Sequence, residues 1–146
     1  ITGWKLGYLT APPALLNEIR KVHQYLVFSV NHFAQVALDT YLQSFDISSL
    51  VGFFEAKRNL LQTFIRNSAF RLLPCEGTYF QMIDISEVTE MDDVAYAVWL
   101  TREAGLATIP LSVFYEKEAP QNYLRLCFAK SDTLLEKAGA ILQGIH

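Results

Sequence analysis

Up to about Asn67 the apolar residues of this chain recur every three or four positions, and beyond it they alternate every second residue. A helix repeats about every 3.6 residues and a strand about every 2, so no single kind of element satisfies both patterns. The chain must therefore pack a helical first part with a stranded second part. After Pro12-Pro13, the residues Leu15, Ile19, Val22 and Leu26 form one helical stripe; a proline in the first turn is tolerated because its missing N–H would have been unpaired there. Phe33, Ala37 and Tyr41 predict a second helix over about 31–43. Leu50, Phe54, Leu61 and Phe64 predict a third over about 48–67, with Glu55, Arg58, Asn59 and Gln62 largely off the stripe.

"FRLLP" (70–74) and "GTYFQMIDI" (77–85) read as strands, the second with Phe80 and Met82 on one face and Tyr79, Gln81 and Ile83 on the other. A helix over about 92–104 opens with acidic residues that suit the positive end of its dipole and stops at Gly105, a natural residue for a helix end. A short strand "LATI", the polar loop 110–122, the strand "YLRLCFA" (123–129) and a last helix, capped by Ser131 or Asp132 and running to about Gln143, complete the order. Helices first, then strands interleaved with helices, predict an α+β domain with a small antiparallel or mixed sheet covered by helices.

The chain has 146 residues, 51% hydrophobic and 18% charged, which is enough to build a core and too apolar for a disordered chain. A net charge of -3 provides no basic footprint, so nucleic acid is not expected. No apolar run reaches the roughly 18 residues of a membrane span, and the start has no basic then apolar leader pattern, so a cytoplasmic protein without membrane attachment is expected. Cys75 and Cys127 lie in apolar contexts and are expected as reduced thiols; His23, His32 and His146 never come at ligand spacing, so no metal site is expected.

Two basic residues stand out. Alternation along "YLRLCFA" puts Leu124, Leu126 and Phe128 on the core face and Tyr123, Arg125 and Cys127 on the other. Arg125 is then either a surface residue on a half-covered sheet or a planar fork held for an anion, to which it can make two parallel charge-assisted hydrogen bonds. Lys5, between Gly3 and Gly7 and beside Trp4, is either a solvated turn residue or a point charge for a phosphate. The spacing is not that of a P-loop.

Six stretches, "TGWKLGY", "FSVNHFAQVAL", "FFEAKRNLL", "CEGTYFQMIDIS", "GLATIPLSVFY" and "NYLRLCFAK", together resemble, in the same order, the C-terminal part of pyridoxal-phosphate-dependent class I/II aminotransferases, of the kynurenine, glutamine and methionine aminotransferase type. The resemblance spans essentially the whole chain. It implies the small C-terminal domain of the pyridoxal-phosphate transferase fold over 46–146, including the long connecting helix, preceded over 1–45 by the end of the large cofactor-binding domain with its interdomain helices. It implies that Lys5 contacts the cofactor phosphate, that Arg125 binds the substrate α-carboxylate, and that Phe28 lines the substrate site of the neighbouring subunit of a homodimer. The implied activity moves an amino group from an amino acid to a 2-oxo acid.

The family's lysine that forms a Schiff base with the cofactor stands a few residues before the Thr-Gly-Trp-Lys motif, which places it upstream of Ile1. No catalytic residue is therefore expected in this chain, and the chain alone is expected to be inactive. Lys21, Lys57, Lys117, Lys130 and Lys137 do not match that motif and read as surface residues. Leu111 stands where relatives commonly carry Gly, which puts the path of the following loop in question, so Ser112, Phe114 and Tyr115 are not assigned to the site. A carbon-sulfur lyase with the same cofactor and a noncatalytic α+β interaction module are the alternative readings. Apolar residues around Val27, Phe28, Phe33, Phe53 and Phe54 predict self-association of the chain.

Overall fold

A computed structural model describes residues 2–117 and 120–145. They form two compact units, residues 1–47 and 48–146. In the first, a short 3-10 turn (Thr2–Trp4) leads to helix α1 (Pro13–Leu26) and helix α2 (His32–Ser44). Pro13 opens α1 where no hydrogen bond is lost. Asn31 caps α2 by accepting a hydrogen bond from the Ala34 N–H at 3.0 Å. The α1 stripe forms as predicted, but it is uncovered: no residue of α1 or α2 is buried, and Leu15, Val22 and Leu26 are all exposed.

The second unit runs α3 (Ser49–Ile65), β1 (Arg71–Leu72), β2 (Phe80–Asp84), α4 (Asp93–Trp99), β3 (Ile109–Pro110), β4 (Tyr123–Cys127) and α5 (Asp132–Gln143). The strands form one antiparallel sheet in the order β1-β2-β4-β3. Leu61 and Ile65 of α3, Ile83 of β2, Leu124 and Leu126 of β4, Phe128, and Leu135 and Leu142 of α5 meet in the core. Five α-helices accompany this four-stranded sheet among the described residues, an α+β architecture. No helix among the described residues is long and apolar enough to cross a membrane.

Several elements are shorter than their patterns predict. "FRLLP" pairs only over Arg71–Leu72, and "LATI" contributes Ile109 alone, the strand continuing into Pro110. The helix expected over 92–104 is α-helical to Trp99 and widens into a π-helical turn over Leu100–Ala104. There the Gly105 N–H reaches back five residues to the Leu100 carbonyl, and Gly105 ends the helix in the left-handed region at φ 70°.

Lys57 is not the surface residue expected. Its side chain is 13% exposed, and its ammonium donates to Asp132 at 2.7 Å at the start of α5 and lies 5.3 Å from the Phe53 ring centre. Gln81, a polar residue on the core face of β2, is fully buried and fully engaged: its Nε2 donates to the Leu73 and Met82 carbonyls at 2.7 Å, and its Oε1 accepts from Gln62 at 2.8 Å.

At Gly139, α5 packs directly against Phe64 of α3. A Cβ there would stand 2.3 Å from Cγ of Phe64. Gly139→Ala is expected to lower unfolding stability by about 1–3 kcal/mol despite the better helix propensity of alanine; a urea denaturation midpoint equal to or above that of the native chain would refute this packing.

Burial pushes the Asp84 carboxyl up, but hydrogen bonds from Ser86, Asn122 and Arg71 more than offset this and hold it below the usual carboxylate range. Because the folded pKa lies below the unfolded one, the stabilisation is present above about pH 3.9 and is lost as pH falls through the folded value. The stability advantage of the native chain over Asp84→Asn should accordingly narrow in denaturation series carried from pH 6 to pH 2.

Candidate functional site

Strand β4 lies inside the sheet, paired with β2 on one side and β3 on the other, so its alternation is fixed by hydrogen bonding on both edges. Leu124, Leu126 and Phe128 are buried, and Arg125 projects from the opposite face, half-buried, in register with Met82 and Ile109. The guanidinium carbon stands 4.6 Å from the ring centre of Phe80 and 5.1 Å from that of Phe114. Such contacts hold the group by cation–π attraction and packing. A phenyl ring offers no conventional hydrogen-bond acceptor, so the guanidinium N–H donors stay available. No acidic residue among the described residues pairs with them. An arginine braced by rings and free of an acidic partner keeps donors that can take a carboxylate in two parallel hydrogen bonds.

Phe114 reaches Arg125 through a 3-10 turn over Ser112–Phe114. The Leu111 N–H donates to the Tyr123 carbonyl at 3.0 Å, tying the start of the turn to β4. The Ser112 N–H and hydroxyl each donate to the Asp93 carboxylate at 2.7 Å, tying it to α4. Leu111 itself has φ -80° and ψ -32°, ordinary right-handed backbone, so this path needs no glycine there. Of the residues not assigned to the site from sequence, Phe114 touches Arg125 and Ser112 anchors its turn. Phe80 was placed correctly on a strand face, but its contact with Arg125 follows only from the β2–β4 pairing, which puts it opposite Cys127.

Lys5 and Phe28 stand in the first unit, and each is exposed. Their backbones share an uncommon feature: Lys5 has φ 54° and Phe28 φ 62°, and only Thr78 joins them as a described non-glycine residue with positive φ. The glycines flanking Lys5 do not take the left-handed conformation; Lys5 takes it. Phe28 sits past the end of α1, its N–H donating to the His23 carbonyl at 3.1 Å, and the Ser29 N–H donates across it to the Val27 carbonyl at 2.8 Å. A bulky residue at the centre of such a tight turn is held at an energetic cost, and such costs gather at functional positions. Lys5 has no carboxylate partner among the described residues, so its ammonium is not taken up by an internal ion pair there.

A cleft in the 48–146 unit is bordered by Phe54, Arg58, Cys75, Gly77, Thr78 and Phe128. Its arginine is already engaged: Arg58 donates to Glu55 at 3.0 Å and to the Cys75 carbonyl at 3.1 Å. Both cysteines are free thiols. Burial pushes the Cys75 thiol up, and the Arg58 charge offsets this only in part. No cluster of three or more metal-ligating side chains occurs among the described residues.

A small antiparallel sheet, packed against helices, presents on its open face an arginine braced by two rings and without an acidic partner among the described residues. Residues 1–141 match the family model of aminotransferase class I and II. The chain belongs to that family, and its fold is that of the C-terminal portion of aminotransferase structures. It is 47% identical over 145 residues to methionine aminotransferase of Escherichia coli, covering 98% of this chain and 38% of that protein. With kynurenine–oxoglutarate transaminase of Dictyostelium discoideum it shares 31% identity, over 94% of this chain and 37% of the relative. Among solved structures, an Escherichia coli protein with a methionine aminotransferase function superposes with a TM-score of 0.88 at 47% identity over 98% of this chain and 38% of that one. N-succinyldiaminopimelate aminotransferase of Mycobacterium tuberculosis also gives 0.88, at 27% identity over 99% of this chain and 38% of that one. The chain thus spans a little over a third of the length of these relatives.

Cys127 shares the open face of β4 with Arg125 and is exposed, whereas Cys75 is half-buried with a raised thiol pKa. A thiol reagent at pH 8 should label Cys127 first, roughly tenfold or more ahead of Cys75, whose burial limits access and holds the thiol protonated. Equal labelling rates would contradict this assignment of faces.

Proposed function

We propose that this chain is the C-terminal part of an aminotransferase that moves an amino group from an amino acid to a 2-oxo acid with pyridoxal phosphate. The observation that carries the reading is Arg125, held against Phe80 and Phe114 and unpaired by any acid among the described residues. Its donors take the α-carboxylate as a bidentate pair, and this fixes where the α-carbon sits. Both amino acid and 2-oxo acid carry that carboxylate, so one clamp serves both half-reactions.

Lys5 takes the phosphate end of the cofactor as a point charge, its left-handed backbone presenting the side chain from a short turn. When bound, pyridoxal phosphate supplies the electron sink for loss of the α-proton. In this reading residues 1–45 end a large cofactor-binding domain, and 46–146 form the small domain that carries the carboxylate clamp. Phe28, 84% exposed on its strained turn, serves the substrate site of a partner subunit in a homodimer. The Schiff-base lysine lies upstream, so the chain alone is inactive, and its uncovered α1 stripe makes it self-associate. The relatives named for methionine and kynurenine make an amino acid with a large apolar side chain the first substrate to try.

The test uses the full-length protein that contains this chain, assayed with L-methionine for 2-oxo acid formation with and without a 2-oxo acid acceptor. Product should form only with the acceptor; acceptor-independent release of a thiol would assign the protein to carbon-sulfur lyases instead. Arg125→Gln should lower kcat/KM roughly tenfold to a hundredfold, the loss of hydrogen bonds to a charged group, while leaving cofactor absorbance intact. Lys5→Ala should do the reverse, weakening retention of the cofactor on dialysis.

A further inference from the structure

Asp93 is fully buried, although it opens a helix whose capping is already done by its neighbour: Asp92 accepts the Ala95 N–H at 2.7 Å. Burying a carboxylate is costly unless hydrogen bonds compensate. Among the described residues they come from Ser112, 19 positions away, whose N–H donates to Oδ2 and whose hydroxyl donates to Oδ1, both at 2.7 Å. Ser112 begins the turn that carries Phe114, and Phe114 is one of the two rings against Arg125. That ring is 59% exposed, so packing alone does little to hold it. A 3-10 turn of three residues is also weak on its own.

We propose that Asp93 is a positioning residue for carboxylate binding: by fixing Ser112 it holds Phe114 against Arg125 and keeps the guanidinium in the orientation that receives the substrate α-carboxylate. The inference rests on the reading of Arg125 given above. Arg125 has many rotamers, and on its open face the two rings are what restrict them. Release of the turn removes one ring and lets the guanidinium move away from the productive geometry. Asp93 touches neither substrate nor cofactor in this role.

The full-length, cofactor-loaded protein would be titrated calorimetrically with 3-phenylpropanoate, a carboxylate without an amino group, and with 3-phenylpropanamide, its uncharged counterpart. Asp93→Ala should weaken binding of the acid roughly fivefold to tenfold and leave the amide unchanged. Asp93→Asn should restore the acid, because its carbonyl can accept the Ser112 N–H while its amide donates to the Ser112 hydroxyl. Native affinity for the acid in Asp93→Ala, equal losses for acid and amide, or an Asp93→Asn as weak as Asp93→Ala would each overturn the proposal. Should Asp93→Ala fail to fold, Ser112→Ala and Phe114→Leu decide it: both must weaken the acid selectively, and native affinity in either overturns it. Arg125→Gln, measured alongside, separates the two readings. If it binds the acid normally, the assignment of Arg125 fails and the role of Asp93 with it; if it loses the acid while Asp93→Ala does not, only the role of Asp93 fails.

Discussion

The burial of Leu124, Leu126 and Phe128 fixes nearly everything else about the 48–146 unit. These side chains come from a strand held on both edges, and they meet α3 and α5 in the core. A slip of one residue would place the arginine among them and expose the leucines, at the cost of burying a charge and losing apolar contact together. The hydrophobic core and the presentation of Arg125 are two sides of one constraint, so the site is as stable as the core beneath it. The same register sets Phe80 one pair away, within reach of the guanidinium.

Much of this is legible in the sequence because it depends on local periodicity. The alternation in 123–129 is enough to separate Arg125 from its apolar neighbours, and Gly105 and Ser131 mark helix ends by chemistry that acts within a turn. What stays illegible depends on contacts distant along the chain. Nothing local in "PLSVFY" says that Phe114 folds back on a strand eleven residues later, or that Ser112 is anchored by an aspartate on the preceding helix. Lys57 misleads for the same reason: its partner, Asp132, is 75 residues away. The strands "FRLLP" and "LATI" overreach because apolar alternation continues past the point where a partner strand is present to pair.

The first unit shows the limit of periodicity in another way. Its stripe of Leu15, Ile19, Val22 and Leu26 is a sound helix signal, and α1 forms where it predicts, yet the stripe is not a core. An amphipathic pattern states that a face is suited to burial and leaves open what buries it. Helices of 13 and 14 residues draw little stability from propensity alone and depend on packing of that face.

Lys5 and Arg125 therefore differ in what supports them, though both are cations without an acidic partner among the described residues. Arg125 is braced within its own unit by two rings, a paired strand and a turn tied to a buried carboxylate. Its geometry is set by that unit alone, which is what the proposed clamp, working by orientation, requires. Lys5 stands on an exposed turn between glycines whose added Cβ atoms would meet nothing within 4 Å. Open surroundings of that kind suit the role proposed for Lys5, a point charge whose attraction for a phosphate depends on distance far more than on angle. The exchange of the two residue types would then be asymmetric: an arginine at position 5 keeps a usable charge, whereas a lysine at position 125 loses the planar fork that the braced geometry serves.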